Sequence, residues 1–317
     1  MAKDGKRRTI VGLIAGLLGL IGLGKATPKT GNGAARGRIA AAAMTGEASP
    51  VTETIVGSEW DLPVERNERV DYWIDFLTKE KRDRTEQWLQ RLGYYAPMIQ
   101  AKLEERGMPR DLVFLAMAES GFDPTAYSRA HASGIWQFVA ETGRRYGLEV
   151  SEYVDERNDP IKSTDAALDY LQELYDRFGS WYLAAAAYNT GENRVERILN
   201  ERAGGRRGDE SLYWEIGEYL PRETRDYVPI MLAVGHIAKD PEAYGFKNVR
   251  YEAPMRFEEI RVEPGKSLEE IAEEENVDLE ELRRLNAHLV RGQTPPDREW
   301  NVRIPVRPDQ APAVSFA

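Results

Sequence analysis

The chain has no cysteine in its 317 residues. That excludes a disulfide framework, a cysteine nucleophile, a thiolate metal site and a lipid-modified N-terminal cysteine. It has three histidines, His131, His236 and His288, and none has the spacing of a zinc ligand set. It also lacks a basic surface. The formal charge is −10, made of about +7 in residues 1–38 and −17 in the remainder. An acidic body is a poor binder of phosphate backbones, so a nucleic-acid partner is not expected. Uninterrupted apolar sequence is scarce too. The longest run, Ile10 to Leu23, is short for a spanning helix, which needs roughly 17–25 residues.

That run follows the basic residues Lys3, Lys6, Arg7 and Arg8, the layout of a secretory signal. Residues 1–24 are therefore read as a signal peptide, or as an N-terminal anchor if uncleaved. The protein is expected to be exported to the periplasm or cell envelope, with any membrane association coming from this segment. Residues 25–58 are rich in Gly, Ala, Thr and Pro and read as a flexible linker. Hydrophobic residues make up 42% of the chain, enough for a packed core, and the length suggests about two domains.

The most informative stretch runs from Pro109 to Gly143. Pro109 suits a first helical position, and Asp111 suits the first turn, where free amide groups favour an anion. Leu112, Leu115, Ala116 and Glu119 then recur at helical spacing and share a face that is apolar except for its last member. Gly121 and Asp123-Pro124 end the helix. A Glu near a helix end is ordinarily solvated. One that closes an apolar stripe, at the end where the macrodipole disfavours negative charge, instead holds its proton toward neutral pH. Such a group is a general acid for splitting a glycosidic bond. Downstream, Gly134-Ile-Trp-Gln-Phe138 sets an amide between aromatics and reads as the start of a second helix, through Gly147. Gly134 would allow close approach of a sugar. Ala187-Tyr-Asn-Thr-Gly191 supplies a phenol and an amide at the end of a third, Ala-rich helix.

Before this stretch, Val70, Trp73, Ile74 and Leu77 form one helical stripe. Trp88, Leu89, Leu92 and Tyr95, ended by Pro97, form another, and together they make a helical preface whose aromatics are chiefly core. The acidic segment Asp155 to Asp159 lacks calcium-loop spacing and reads as caps and surface charges. Helices are expected over 161–178 and 222–237. Beyond Tyr251 a strand, two helices and a strand occupy about fifty residues.

Glu119-Ser120, Gly134-Ile-Trp-Gln137 and Ala187-Tyr-Asn189 resemble the three ordered motifs of the lysozyme-like lytic transglycosylases. The strings DLVFLAMAESGFDP, GIWQFVAETGRRYGL, DERNDPIKSTDAALDYL and LPRETRDYVP are similar to those of the membrane-bound lytic transglycosylase D type. The C-terminal pattern, with Leu285-Asn286 and Thr294-Pro-Pro296, resembles a LysM domain, although Gly265-Lys-Ser replaces the usual Gly-Asp-Thr and the helices are acidic. The resemblance implies a mainly α, lysozyme-like (goose-type or SLT) catalytic domain over 59–250, with its preface at 59–107 and its core at 108–245. A small α+β LysM-like domain follows over 255–306.

It further implies that Glu119 is the catalytic acid and then base. Ser128, Gln137, Tyr188, Asn189 and Tyr227 are implied to hold the substrate or the carboxyl, with Tyr227 orienting Glu119. The expected reaction cleaves the bond between N-acetylmuramic acid and N-acetylglucosamine in peptidoglycan, leaving a 1,6-anhydro end. It uses no metal or other cofactor. No second carboxylate stands out near the motifs. Two other readings remain open: a hydrolytic muramidase on the same fold, and a scaffold that binds peptidoglycan without cleaving it. The separate LysM-like module is compatible with all three.

Overall fold

The computed structural model describes residues 38–39 and 55–306. The expected signal or anchor (1–24) lies outside the described residues, as does all of the expected linker except 38–39 and 55–58. Among the described residues no helix is long and apolar enough to cross a membrane.

The chain is organised about one short helix, α3 (Val113–Ser120), whose eight residues are all buried. Its entry is built by carboxylates rather than by Pro109, which precedes a tight turn over Arg110–Leu112 instead of opening the helix. Asp61 accepts hydrogen bonds from the backbone amides of Arg110 (2.6 Å) and Asp111 (3.0 Å), which caps that turn. Asp111 in turn accepts from the Asp61 amide at 2.8 Å and pairs with Lys239 Nζ at 2.7 Å, deep in the protein. Burial raises the Asp111 carboxyl above its ordinary value; Lys239 opposes this. The exit is Gly121, in the left-handed region at φ +62°. A Cβ there would lie 1.9 Å from the indole of Trp88, so this glycine also admits a close ring.

The other helices enclose α3. The preface forms α1 (Glu68–Asp75) and the long α2 (Arg82–Glu105). Pro97 does not end α2 but lies inside it. Buried Leu92, Tyr95, Ala96, Ile99 and Leu103 flank the proline on both sides and hold the helix together across the missing amide. The helix α5 (Pro160–Phe178) starts on Asp159, whose side chain accepts from the amides of Ile161 and Lys162. The next, α6 (Trp181–Thr190), is capped by Ser180; Ala184–Ala187 let its neighbours approach closely. It stops at Gly191, and α7 (Glu192–Arg202) and the short α8 (Ser211–Glu215) follow. The long α9 (Arg222–Lys239) then crosses α1, α3 and α6.

Two departures from expectation bear on the site. Residues 132–139 form a hairpin, β2 (Ala132–Ser133) with β3 (Phe138–Val139), where a helix from Gly134 was expected; only α4 (Ala140–Arg145) is helical. Gly134 (φ +83°) and Gln137 (φ +50°) take left-handed conformations that no helix contains. The segment Asp155–Asp159 caps as expected but is not on the surface. Asp155, Glu156, Arg157 and Asp159 are all buried, because the C-terminal domain covers them.

That domain comprises β4 (Phe257–Val262), α10 (Leu268–Glu275), α11 (Leu279–Leu285) and β5 (Trp300–Pro305). Ser267 and Glu270 form a capping box on α10; Asn276, at φ +51°, ends it; Asp278 caps α11. The strands β4 and β5 are antiparallel, with Ile260 opposite Val302, and a two-residue strand β1 (Arg38–Ile39) pairs along the outside of β4. The domain is docked, not loose. The Arg284 guanidinium lies 3.6 Å from the Tyr94 ring centre, and Arg303 pairs with the buried Asp159 at 2.8 Å.

Asp111→Ala should strand Lys239 as an unpaired buried charge. We expect a loss of about 3–5 kcal/mol in urea unfolding. A loss under about 1 kcal/mol would show that the pair does not hold α3.

Candidate active site

Glu119 occupies the last turn of α3 and is 1% exposed. Tyr227, from the middle of α9, donates its hydroxyl to Glu119 Oε1 at 2.6 Å. Glu119 Oε2 is buried and has no hydrogen-bond partner among the described residues. Burial pushes the carboxyl up to about 8; the Tyr227 hydrogen bond opposes this and the charge of Glu223, one turn before Tyr227, reinforces it. Glu119 is therefore a neutral acid at pH 7, with one oxygen anchored and the other uncommitted.

Beside it runs the hairpin loop. Ser120 Oγ, at the end of α3, donates to the Ile135 carbonyl at 3.0 Å and ties the loop to the helix. Gln137 donates through Nε2 to the carbonyls of Ala126 (3.1 Å) and Gly134 (2.8 Å), which fixes the amide and leaves Oε1 an acceptor with no partner among the described residues. Trp136 is sealed below, its indole N–H donating to Thr164 Oγ1 at 2.9 Å.

The expected site residues divide by what they touch. Tyr227 is on Glu119. Tyr188 donates its hydroxyl to the Trp136 carbonyl at 2.8 Å, so it braces the loop. Burial and the nearby Glu119 raise the phenols of both Tyr188 and Tyr227 well above their ordinary value, so both stay neutral donors. Asn189 Oδ1 accepts from Thr224 Oγ1 at 2.8 Å, joining α6 to the start of α9. Ser128 Oγ accepts from the Ala132 amide at 3.0 Å and serves the turn before β2. The structure thus joins Tyr227 to Glu119, Tyr188 to the loop that carries Gln137, and Asn189 to the start of α9.

Gly134 packs closely against the segment 155–159. A Cβ there would lie 1.8 Å from the Arg157 carbonyl. Two site residues were missed: Glu223, the second carboxylate, and Thr224. The available signal was spacing, since Glu223 and Tyr227 stand four apart on α9 and share a face. Among the described residues there is no cluster of metal-ligating side chains.

Residues 96–209 match the transglycosylase SLT domain, and residues 256–311 match the LysM-like domain of the lytic transglycosylase MltD. The chain carries an SLT domain followed by an MltD LysM-like domain. It is 38% identical over 197 residues to the membrane-bound lytic murein transglycosylase D of Escherichia coli, covering 61% of this chain and 42% of that protein. It is 29% identical over 177 residues to the membrane-bound lytic murein transglycosylase F of Maricaulis maris, covering 52% of this chain and 35% of the other. The chain thus spans less than half the length of these relatives. The 70 kDa soluble lytic transglycosylase of Escherichia coli overlays 58% of this chain and 30% of its own, at a TM-score of 0.40 and 23% identity. The SLT match holds Glu119 and the hairpin and ends before α9 and Tyr227.

A raised carboxyl pKa has a definite sign. Below about 4.5 the group is protonated folded or unfolded; between there and about 8 only the folded state keeps the proton, so stability falls as pH rises. Glu119→Gln mimics the neutral form. It should exceed the parent in stability by up to about 4 kcal/mol at pH 8, with the gap closing toward pH 4.5. Melting curves across that range check this, and a constant gap would contradict the shift.

Proposed function

We propose that the chain is a peptidoglycan lytic transglycosylase that cuts between N-acetylmuramic acid and N-acetylglucosamine. The observation that carries this reading is the neutral Glu119 carboxyl, held at one oxygen by Tyr227 and uncommitted at the other. In the proposed reaction Glu119 Oε2 gives its proton to the bridging oxygen as the bond from the muramic anomeric carbon breaks. The neighbouring acetamido oxygen stabilises the positive charge that develops at that carbon. The Glu119 carboxylate then removes the proton from the muramic C6 hydroxyl, and that oxygen bonds to the anomeric carbon. The carboxyl is regenerated, no water is consumed, and the product carries a 1,6-anhydro ring. Gln137 Oε1, fixed and without a partner among the described residues, is suited to accept from an acetamido N–H or a hydroxyl of the bound glycan. Tyr188 and Asn189 hold the loop and α9 around it, and Ser128 shapes the approach. The protein would act in the cell envelope on glycan strands.

A hydrolytic reading is favoured by one feature, the second carboxylate Glu223. It would have to activate a water against the anomeric carbon. A carboxylate already raising the pKa of Glu119 also serves the first reading, because it keeps the acid protonated.

Mass spectrometry of soluble fragments from purified peptidoglycan separates the readings. Products lighter by one water than hydrolysis products, and lost by roughly 10²–10⁴ in rate in Glu119→Gln, are expected. Reducing ends would support the hydrolase. Binding with no cleavage by either protein would leave a scaffold. For the parent, kcat/KM should fall as pH rises past about 8, where Glu119 loses its proton in the free enzyme.

A further inference from the structure

The segment 153–159 faces two ways, and one arginine connects its two faces. Toward the LysM-like domain it behaves as part of that domain. Val154 sits in its apolar core and bridges Leu289, and the Asp155 amide donates to the His288 carbonyl at 2.8 Å. At its end, Asp159 takes Arg303 at 2.8 Å and lies 3.5 Å from His288 Nδ1. Burial alone would raise the Asp159 carboxyl, but the Arg303 guanidinium brings it below its ordinary value, so it is a firm anion.

On its other side, the same segment grips the hairpin. Asp155 holds the Arg157 guanidinium at two points, 2.9 Å and 2.6 Å. That fixes the remaining nitrogen, Nη1, which donates to the carbonyls of His131 (2.8 Å) and Phe138 (3.0 Å). These two carbonyls stand on either side of the loop that carries Gln137. Asn158 Oδ1 accepts from Ser133 Oγ at 2.6 Å, and the Arg157 carbonyl fills the space a side chain at Gly134 would need. Arg157 is 5% exposed, so these bonds do not compete with water.

We propose that Arg157 is a positioning residue for the hairpin loop that carries Gln137, and that the LysM-like domain acts on that loop through it by clamping the segment 153–159. Arg157 touches neither Glu119 nor the unpartnered oxygen of Gln137; it sets the loop on which Gln137 rides. A guanidinium suits this task because its planar fork engages a carboxylate and two carbonyls at once, which a lysine ammonium does not reproduce. The role assigned to the domain is support of the catalytic site, separate from any glycan binding of its own. The proposal rests on reading Gln137 as a glycan contact.

The test uses the full chain in a Glu119→Gln background, so that binding is measured without turnover. Calorimetry with solubilised glycan strands gives Kd for this parent, for Arg157→Lys, for Arg303→Met and for the double variant. Melting curves and near-ultraviolet circular dichroism show that each is folded. We expect each single variant to weaken binding about 3- to 10-fold. The double variant should be no weaker than the worse single, since both act on one clamp. Arg283→Gln, on the domain's exposed surface, should leave Kd unchanged. Unchanged binding in a folded Arg303→Met, or additive losses in the double variant, would overturn the proposal while leaving the functional reading intact. A parent that binds no glycan would overturn both. Anhydro products from the Glu119-bearing protein test the functional reading separately.

Discussion

The short hydrogen bond from Tyr227 to Glu119 is the contact on which the rest of the structure depends. A carboxyl in the last turn of a wholly buried helix is costly in its charged form, and among the described residues no cation stands by to pair it. The protein solves this by keeping the proton and offering a phenol that is itself too buried to ionise. One oxygen is thereby oriented and the other left for chemistry. The ion pair of Asp111 with Lys239 sets the far end of α3, Gly121 with Trp88 its near end, and α9 carries both Lys239 and Tyr227. The acid is thus placed by two contacts from a single partner helix.

Much of this was legible in the sequence. The spacing of Leu112, Leu115, Ala116 and Glu119 pointed to a carboxyl ending an apolar stripe. The glycines at 121 and 191 marked helix ends. The hairpin at 132–139 was not legible, because two-residue strands are too short to show alternation and a left-handed glutamine has no signature. The stripe itself was an incomplete description. Every residue of α3 is buried, since α2 and α9 cover it on sides that periodicity alone treats as exposed.

The larger misreading concerned charge. Asp155, Arg157 and Asp159 look like the solvated residues of a loop, and Asp159 does cap a helix as such residues do. Their burial follows from long-range docking of a domain more than a hundred residues away, which local pattern does not contain. Glu223 escaped notice for a similar reason, since its nearness to Glu119 depends on how α9 crosses α3. Buried charges at a domain joint are weak evidence of stability, because desolvation offsets much of the attraction. Here they are better understood as fixing register. The bidentate Asp155–Arg157 pair leaves one direction for the third nitrogen, and that direction is the hairpin.

The ionisation of Glu119 is the quantity to measure. Carbon-13 NMR of the protein labelled at glutamate side-chain carboxyls, assigned by comparison with Glu119→Gln, follows this one group through a pH titration. The account predicts a single carboxyl titrating near pH 8, far above its neighbours, and moving higher in Tyr227→Phe, where the opposing hydrogen bond is gone. A midpoint in the ordinary glutamate range, near 4.5, would mean that Glu119 is an anion at neutral pH, and the protein would have no proton to give.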